Sequence, residues 1–268
     1  MTRAFGVRLM QDRKTRRPLA FALILTLPTC GPPSHETAKL ADPWSSGRLT
    51  FHPASNHDST AGKFVAGLHP VFPDKPEGAW VYAPASAATK TKAPVLLLLH
   101  GAGGSGVRII RMLADAADQA GIIIVAPKSV GATWDAMNGP IGADVVNIDR
   151  ALSRVSLEYN VDPTRISIAG FSDGATYALA LGRLNGTLFR NIVAFSPGML
   201  IPILPRGSPP TFISHGTRDT ILPIDITSRR FVPELERQGY TVEYHEFDGP
   251  HAVPPEIAAL AMRWIAEH

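Results

Sequence analysis

Arg165-Ile166-Ser167-Ile168-Ala169, then Gly170-Phe171-Ser172-Asp173-Gly174, then Ala175-Thr176-Tyr177-Ala178-Leu179-Ala180-Leu181: this run decides the fold. Its first five residues have the apolar character of a strand, and its last seven, mostly small, suit a helix. Strand, Gly-x-Ser-x-Gly, helix is the order in which a chain exposes a serine nucleophile on a sharp turn. Such a turn forces a strained backbone on the serine and crowds the residues two before and two after it. Glycine at both places, Gly170 and Gly174, removes the colliding Cβ atoms.

Outward from this point, apolar strands alternate with amphipathic helices. Val95–Leu99 and Ile122–Ala126 are apolar throughout, and further strands are expected at Ile166–Ala169, Ile192–Phe195, Thr211–His215 and Val242–Phe247. Helices are expected at Ser105–Ala120, Ala143–Tyr159, about Ile224–Gln238 and Pro255–Glu267. Continuous apolar strands separated by helices imply an α/β fold, a mostly parallel sheet of about eight strands covered on both faces. Upstream, Arg48–His52 and Gly78–Tyr82 are strand candidates, and the polar turn Ala85–Lys92 suits a hairpin in an antiparallel start to the sheet. The connections are short, which argues for an open cleft without a large cap.

At 268 residues and 45% hydrophobic content, the chain has enough material for one sizeable core plus a tail. The formal net charge of +3 misleads, because residues 1–30 hold six Arg or Lys against Asp12 alone. The remainder is mildly acidic, and no nucleic-acid groove is suggested. Residues 1–30 read as an export signal, with a basic stretch Arg13-Lys14-Thr15-Arg16-Arg17 ahead of apolar Leu19–Leu27; Met1 or Met10 is the expected start. Leu27-Pro28-Thr29-Cys30 ends that stretch with the one cysteine of the chain and resembles a bacterial lipobox, so Cys30 is a candidate for lipidation and membrane tethering. The alternative is ordinary cleavage nearby. Residues 31–46 are expected to be a flexible tether, and 47–268 the folded domain.

Ligands of parallel sheets bind beyond the carboxyl ends of the strands, so the residues just after each strand carry the chemistry. After Val95–Leu99 comes His100-Gly101-Ala102-Gly103-Gly104, a glycine turn whose N–H groups can face an anion. Ala102 N–H, with Asp173 N–H, is the candidate oxyanion donor. After Thr211–His215 comes Gly216-Thr217-Arg218-Asp219, and Asp219 is preferred over Asp225 and Asp248 as a carboxylate able to orient a histidine. After the last strand comes Gly249-Pro250-His251, the histidine beyond a carboxyl strand end and downstream of both other candidates. His100 and His215 read as structural residues near the site. Trp134 and Met199 are candidate pocket residues on the loops after Ile122–Ala126 and Ile192–Phe195; the alternatives are an anchor under the loop and packing on the sheet.

The order Ser172, Asp219, His251 resembles that of α/β-hydrolases. Leu99-His100-Gly101, Gly170-Phe171-Ser172, Ser214-His215-Gly216-Thr217-Arg218-Asp219 and a closing helix with Trp264 are similar to the phospholipase/carboxylesterase branch and to secreted depolymerase-type esterases. Asp173 departs from that branch, where glutamine is common. The resemblance implies a secreted or envelope serine carboxylesterase acting on accessible small, aryl or polymeric esters. It implies no metal and no organic cofactor. Phospholipid or thioester hydrolysis, and a non-catalytic envelope binding protein that keeps the fold, are the alternatives. Oligomeric state is not legible.

Overall fold

The structure is a computed structural model and describes residues 46–51, 65–75, 78–89 and 92–268. The expected export signal, Cys30 and all but the last residue of the expected tether lie outside the described residues.

Eight strands form one sheet: β1 (Gly67–Pro70), β2 (Ala79–Ala83), β3 (Ala93–Leu99), β4 (Ile123–Pro127), β5 (Val161–Phe171), β6 (Ile192–Phe195), β7 (Thr211–Gly216) and β8 (Val242–Phe247). Their order is β1-β2-β4-β3-β5-β6-β7-β8, antiparallel at β1–β2 and β2–β4 and parallel from β4 to β8. Five helices cover it: α1 (Gly106–Ala120), α2 (Ala143–Glu158), α3 (Asp173–Leu184), α4 (Ser228–Arg237) and α5 (Pro255–Glu267). No large cap interrupts the described residues.

Alternation along the strands divides the interior into two cores. Val95, Leu97, Leu99, Ile123 and Val125 point into one core, with α2, α3 and α4 packed over them. Leu96, Leu98, Ile124 and Ala126 point into the other, beneath α1 and α5. Strands buried on both faces need apolar residues at every position, which is why β3 and β4 lack the polar alternation of a one-sided sheet. Trp264 of α5 closes the second core against Phe212 of β7, ring centroids 5.7 Å apart.

Two early expectations are corrected. Arg48–Phe51 is not a strand, because side chains take its backbone donors: Leu49 N–H donates to Asn185 Oδ1 at 3.0 Å and Phe51 N–H to Asp149 Oδ1 at 2.7 Å. His52 lies outside the described residues. The antiparallel start is present, but Ala85–Thr89 forms a 3-10 turn and does not close a hairpin onto β3. The partners of β2 are β1 and β4, and β3 lies one position further in.

Because β3 to β8 run parallel, His100, Ser172, Asp219 and His251 all leave the sheet at its carboxyl edge.

Candidate active site

Ser172 sits between β5 and α3 with φ 57° and ψ −122°, a conformation that costs a non-glycine residue on the order of 1–3 kcal/mol. The packing that enforces it is visible at the flanking glycines. A Cβ on Gly170 would lie 2.1 Å from Gly174 O, and one on Gly174 would lie 2.2 Å from Leu99 O. Ser172 N–H donates to Phe195 O at 2.9 Å, and Ser172 O accepts from Ala175 N–H and Thr176 N–H. The turn is thus pinned from β6 and by the first turn of α3.

Asp219 is 6% exposed, in the loop after β7. Its Oδ1 accepts from Ile221 N–H at 2.9 Å and Leu222 N–H at 2.8 Å, and its Oδ2 accepts from His251 Nδ1 at 2.6 Å. Burial opposes ionisation, yet the donors from Leu222, His251 and Ile221 outweigh it and hold the carboxyl below its usual range. A carboxylate can only accept, so Nδ1 of His251 carries the proton and Nε2 keeps its lone pair. Gly216 permits the contact. A Cβ there would come within 2.4 Å of Gly249 O and Pro250 O, so any side chain would push the His251 loop off the Asp219 loop.

The two competing carboxylates are engaged elsewhere. Asp248 pairs with Arg218, and Asp225 with Arg229 at 2.6 Å, both at the surface. His251 meets the nucleophile turn through Phe171, whose ring lies against the imidazole at 4.6 Å between centroids.

A second histidine shares the Asp219 carboxylate. His215 is fully buried, with Nε2 3.1 Å from Asp219 Oδ2 and 2.8 Å from Leu222 O, and Nδ1 2.7 Å from Ser228 Oγ. Leu222 O can only accept, so Nε2 carries the proton and Nδ1 accepts from the Ser228 hydroxyl. Burial dominates its titration and keeps it neutral, against the pull of Leu222 O and Asp219. Position after a strand signalled that His215 stood near the site; its contact with the carboxylate depends on a loop whose path the sequence does not disclose.

The glycine turn after β3 lies against Ser172: a Cβ on Gly101 would come 3.2 Å from Ser172 Cβ. His100 holds this turn. Its Nδ1 donates to Gly101 O at 2.7 Å and its Nε2 accepts from Ser129 N–H at 3.1 Å, a neutral arrangement favoured by burial. Gly103 N–H donates to Ala132 O and Gly104 N–H to Gly101 O. Among the described residues, Ala102 N–H and Asp173 N–H have no such acceptor.

Asp173, the departure from the family pattern, accepts from Thr133 Oγ1 at 2.6 Å. It latches the loop after β4 to the start of α3. Trp134 does not wall the cleft. At 1% exposure it is stacked on Tyr177 (5.3 Å between ring centroids) and against His100, and its Nε1 donates to His100 O at 2.8 Å. Its indole is large enough to fill the space between α3 and the glycine turn, and its role is the anchor beneath the loop. Met199 is 48% exposed at a loop tied to α3 through Thr176 Oγ1, which accepts from Gly198 N–H at 3.0 Å and Met199 N–H at 3.2 Å. Leu200 packs against the core.

This fold has counterparts among solved structures. Esterase PE8 aligns with a TM-score of 0.57 at 23% identity, over 69% of this chain and 95% of that one. A Bacillus cereus carboxylesterase aligns with a TM-score of 0.56 at 20% identity, over 70% of this chain and 93% of that one. The family model described as phospholipase/carboxylesterase matches residues 143–268. The chain has the α/β-hydrolase fold and is similar to the phospholipase/carboxylesterase family over its carboxyl-terminal part. Among curated relatives, NocK of Nocardia uniformis subsp. tsuyamanensis, provisionally named an esterase, is 28% identical over 53% of this chain and 45% of its own length. Acyl-protein thioesterase 1 of Yarrowia lipolytica is 30% identical over 44% of this chain and 56% of its own length. The chain thus spans about half the length of the curated relatives it matches. The family match takes in the nucleophile turn, the Asp219 loop and the His251 loop, all within 143–268.

Proposed function

We propose that this α/β-hydrolase is an exported serine carboxylic-ester hydrolase working through an acyl-enzyme. The observation that carries the reading is the 2.6 Å Asp219–His251 contact, with the imidazole packed on Phe171, the neighbour of a serine held at φ 57°. Neutral His251 takes the Ser172 proton at Nε2 as Oγ attacks the ester carbonyl, forming the Ser172 Oγ–carbon bond. Asp219 keeps the imidazole in the required tautomer and stabilises its protonated form. The oxyanion meets the N–H groups of Ala102 and Asp173, each such donor supplying on the order of 3 kcal/mol. The carbon–alkoxide bond breaks as His251 returns the proton to the leaving oxygen. Water, deprotonated by the same imidazole, then cleaves the acyl-enzyme and releases the acid.

The substrates proposed are accessible small, aryl or polymeric esters, supported by short connections and the absence of a large cap among the described residues. Export is inferred from residues 1–30, with Cys30 as the point of membrane tethering. The test is Ser172→Ala assayed on p-nitrophenyl esters of graded acyl length and on a polyester film. A loss on the order of 10⁶ in kcat with unchanged circular dichroism is expected. Near-normal turnover would refute the assignment. For export, the mass of the processed N-terminus should carry a diacylglyceryl group on Cys30; an unmodified terminus elsewhere contradicts the tether.

A further inference from the structure

A cavity of about 120 Å³ opens beside the nucleophile turn. Gly101 and Ala102, Ile109 and Met112 of α1, and Phe171, which packs on His251, are among its lining residues, with Arg108 contributing the one charged side chain. We propose that this cavity receives the alcohol half of the ester, a compact apolar group whose far end carries negative charge.

The assignment of the alcohol half follows from proton transfer and rests on the esterase reading. The leaving oxygen must accept its proton from His251, so the alcohol half extends along the imidazole side of the turn. Phe171 belongs to that side. It packs on the imidazole at 4.6 Å and joins the core beneath α1 and α5, as Met112 does. Met199, in the loop after β6, is tied through Thr176 to α3, which packs on the opposite face of the sheet, and this leaves the acyl half to that side.

Size and charge set the chemical class. An enclosed apolar cavity of about 150 Å³ holds benzene, so one of about 120 Å³ that opens to solvent covers most of a short branched or single-ring alcohol and leaves more of a fused ring outside. Arg108 is exposed and makes no ion pair among the described residues, and no acidic side chain lines the cavity to neutralise it. A carboxylate at the far end of the alcohol therefore meets an uncompensated guanidinium.

A fixed acyl group isolates this cavity, because all acetates pass through the same acetyl-enzyme. The deacylation rate is then common to the series, and kcat/KM, which reports acylation, carries the dependence on the alcohol. Ethyl acetate, phenyl acetate, 2-naphthyl acetate, 4-acetoxybenzoate and 4-acetoxybenzamide would be compared in wild type, Met112→Ala, Met112→Phe, Arg108→Gln and Arg108→Lys. Variant-to-wild-type ratios cancel the intrinsic reactivity of each leaving group. Met112→Ala should raise kcat/KM for naphthyl relative to phenyl acetate about tenfold, and Met112→Phe should lower it for both aryl esters while sparing ethyl acetate. Arg108→Gln should cost 4-acetoxybenzoate about fivefold relative to the benzamide at low salt, and Arg108→Lys should retain the preference. The acyl-length profile of phenyl esters and the single-turnover deacylation rate should stay unchanged in every variant. Met112 variants that shift the acyl-length profile, or that move neither series, overturn the alcohol assignment. An unchanged carboxylate preference in Arg108→Gln overturns the charge assignment. No turnover of any ester by the wild-type protein would instead defeat the esterase reading itself.

Discussion

The loops after β7 and β4 each bury a carboxylate on backbone N–H groups, and they use it differently. Asp219 gives Oδ1 to two N–H groups of its own loop and keeps Oδ2 for His251 and His215. Asp144, fully buried, spends Oδ1 on Val130 N–H at 2.6 Å and Oδ2 on Asp135 N–H at 2.7 Å. Asp135 answers it, accepting from Asp144 N–H, Gly142 N–H and the Tyr177 hydroxyl. The balance of forces differs accordingly. Burial raises the Asp144 titration despite its two donors, whereas the donors around Asp219 prevail over burial. Burial and backbone donors therefore brace a loop; an oxygen left facing an imidazole gives a carboxylate chemical work.

Exchanging each carboxylate for an amide sharpens the contrast most. In Asp219→Asn the amide nitrogen must face one of its donors, and against His251 it turns the ring to the tautomer that has no free Nε2 lone pair. Turnover should fall about 10⁴-fold with modest loss of stability. Asp144→Asn leaves a buried N–H without an acceptor, so stability should fall by about 1–3 kcal/mol while activity per folded molecule persists. Urea unfolding and active-site titration separate the two, and equal rate losses in both variants would break the comparison. Asp248→Asn, which disturbs only a surface ion pair, should keep near-normal rates.

His215 tests whether the second imidazole matters to the β7 loop. His215→Ala should lower kcat about tenfold with KM unchanged, as expected for a lost hydrogen bond to a charged group. His215→Gln, which still carries an N–H donor, should recover part of it. An equal loss in both variants would reduce His215 to packing.

Strain at the vertex is the next distinction, because neither carboxylate loop contains it. Ser172→Gly relieves the φ of 57° and should stabilise the fold by about 1 kcal/mol in urea melts, while abolishing ester turnover. No gain relative to Ser172→Ala would remove strain from the account.

The smallest effect concerns pH. Burial lowers the titration of His100, His215 and, at β1, His69 below the ordinary histidine value. Below about pH 6.5 the unfolded chain then binds protons that the folded chain does not, so stability is full above that value and falls as pH drops through it. The Asp219 contribution persists until pH falls below about 3.9. Tm should decline by roughly 2–4 °C between pH 7 and 5.5, less steeply in His215→Gln. A Tm independent of pH over that range would contradict the neutral, buried assignment.

Much of this architecture could be read from residue pattern. The runs at Val95–Leu99 and Ile192–Phe195 coincide with strands because burial on both faces leaves an uninterrupted apolar signature, while Val242–Phe247, at the sheet edge, is a strand that carries Glu243, His245 and Glu246 among its apolar residues. Gly170 and Gly174 announced the turn because steric exclusion acts on neighbours in sequence. β1 escaped notice: Gly-Leu-His-Pro is four residues long, and its proline belongs to a sheet edge. The Asp219–His251 contact was expected from strand order. The His215 contact and the Asp144–Asp135 brace were not, because each depends on a loop path fixed by tertiary packing, and the same packing decides between wall and anchor for Trp134. The sequence could rank Asp219, Asp225 and Asp248 by position alone; Arg218 and Arg229, which occupy two of them, appear only in three dimensions.

The most direct measurement is intact-mass and peptide mapping after treatment with a small fluorophosphonate. The mechanism demands a single phosphonyl adduct on the Ser172 hydroxyl, formed quickly by wild-type protein and suppressed in His251→Gln. A labelled residue other than Ser172, or labelling undiminished without the imidazole, would contradict it.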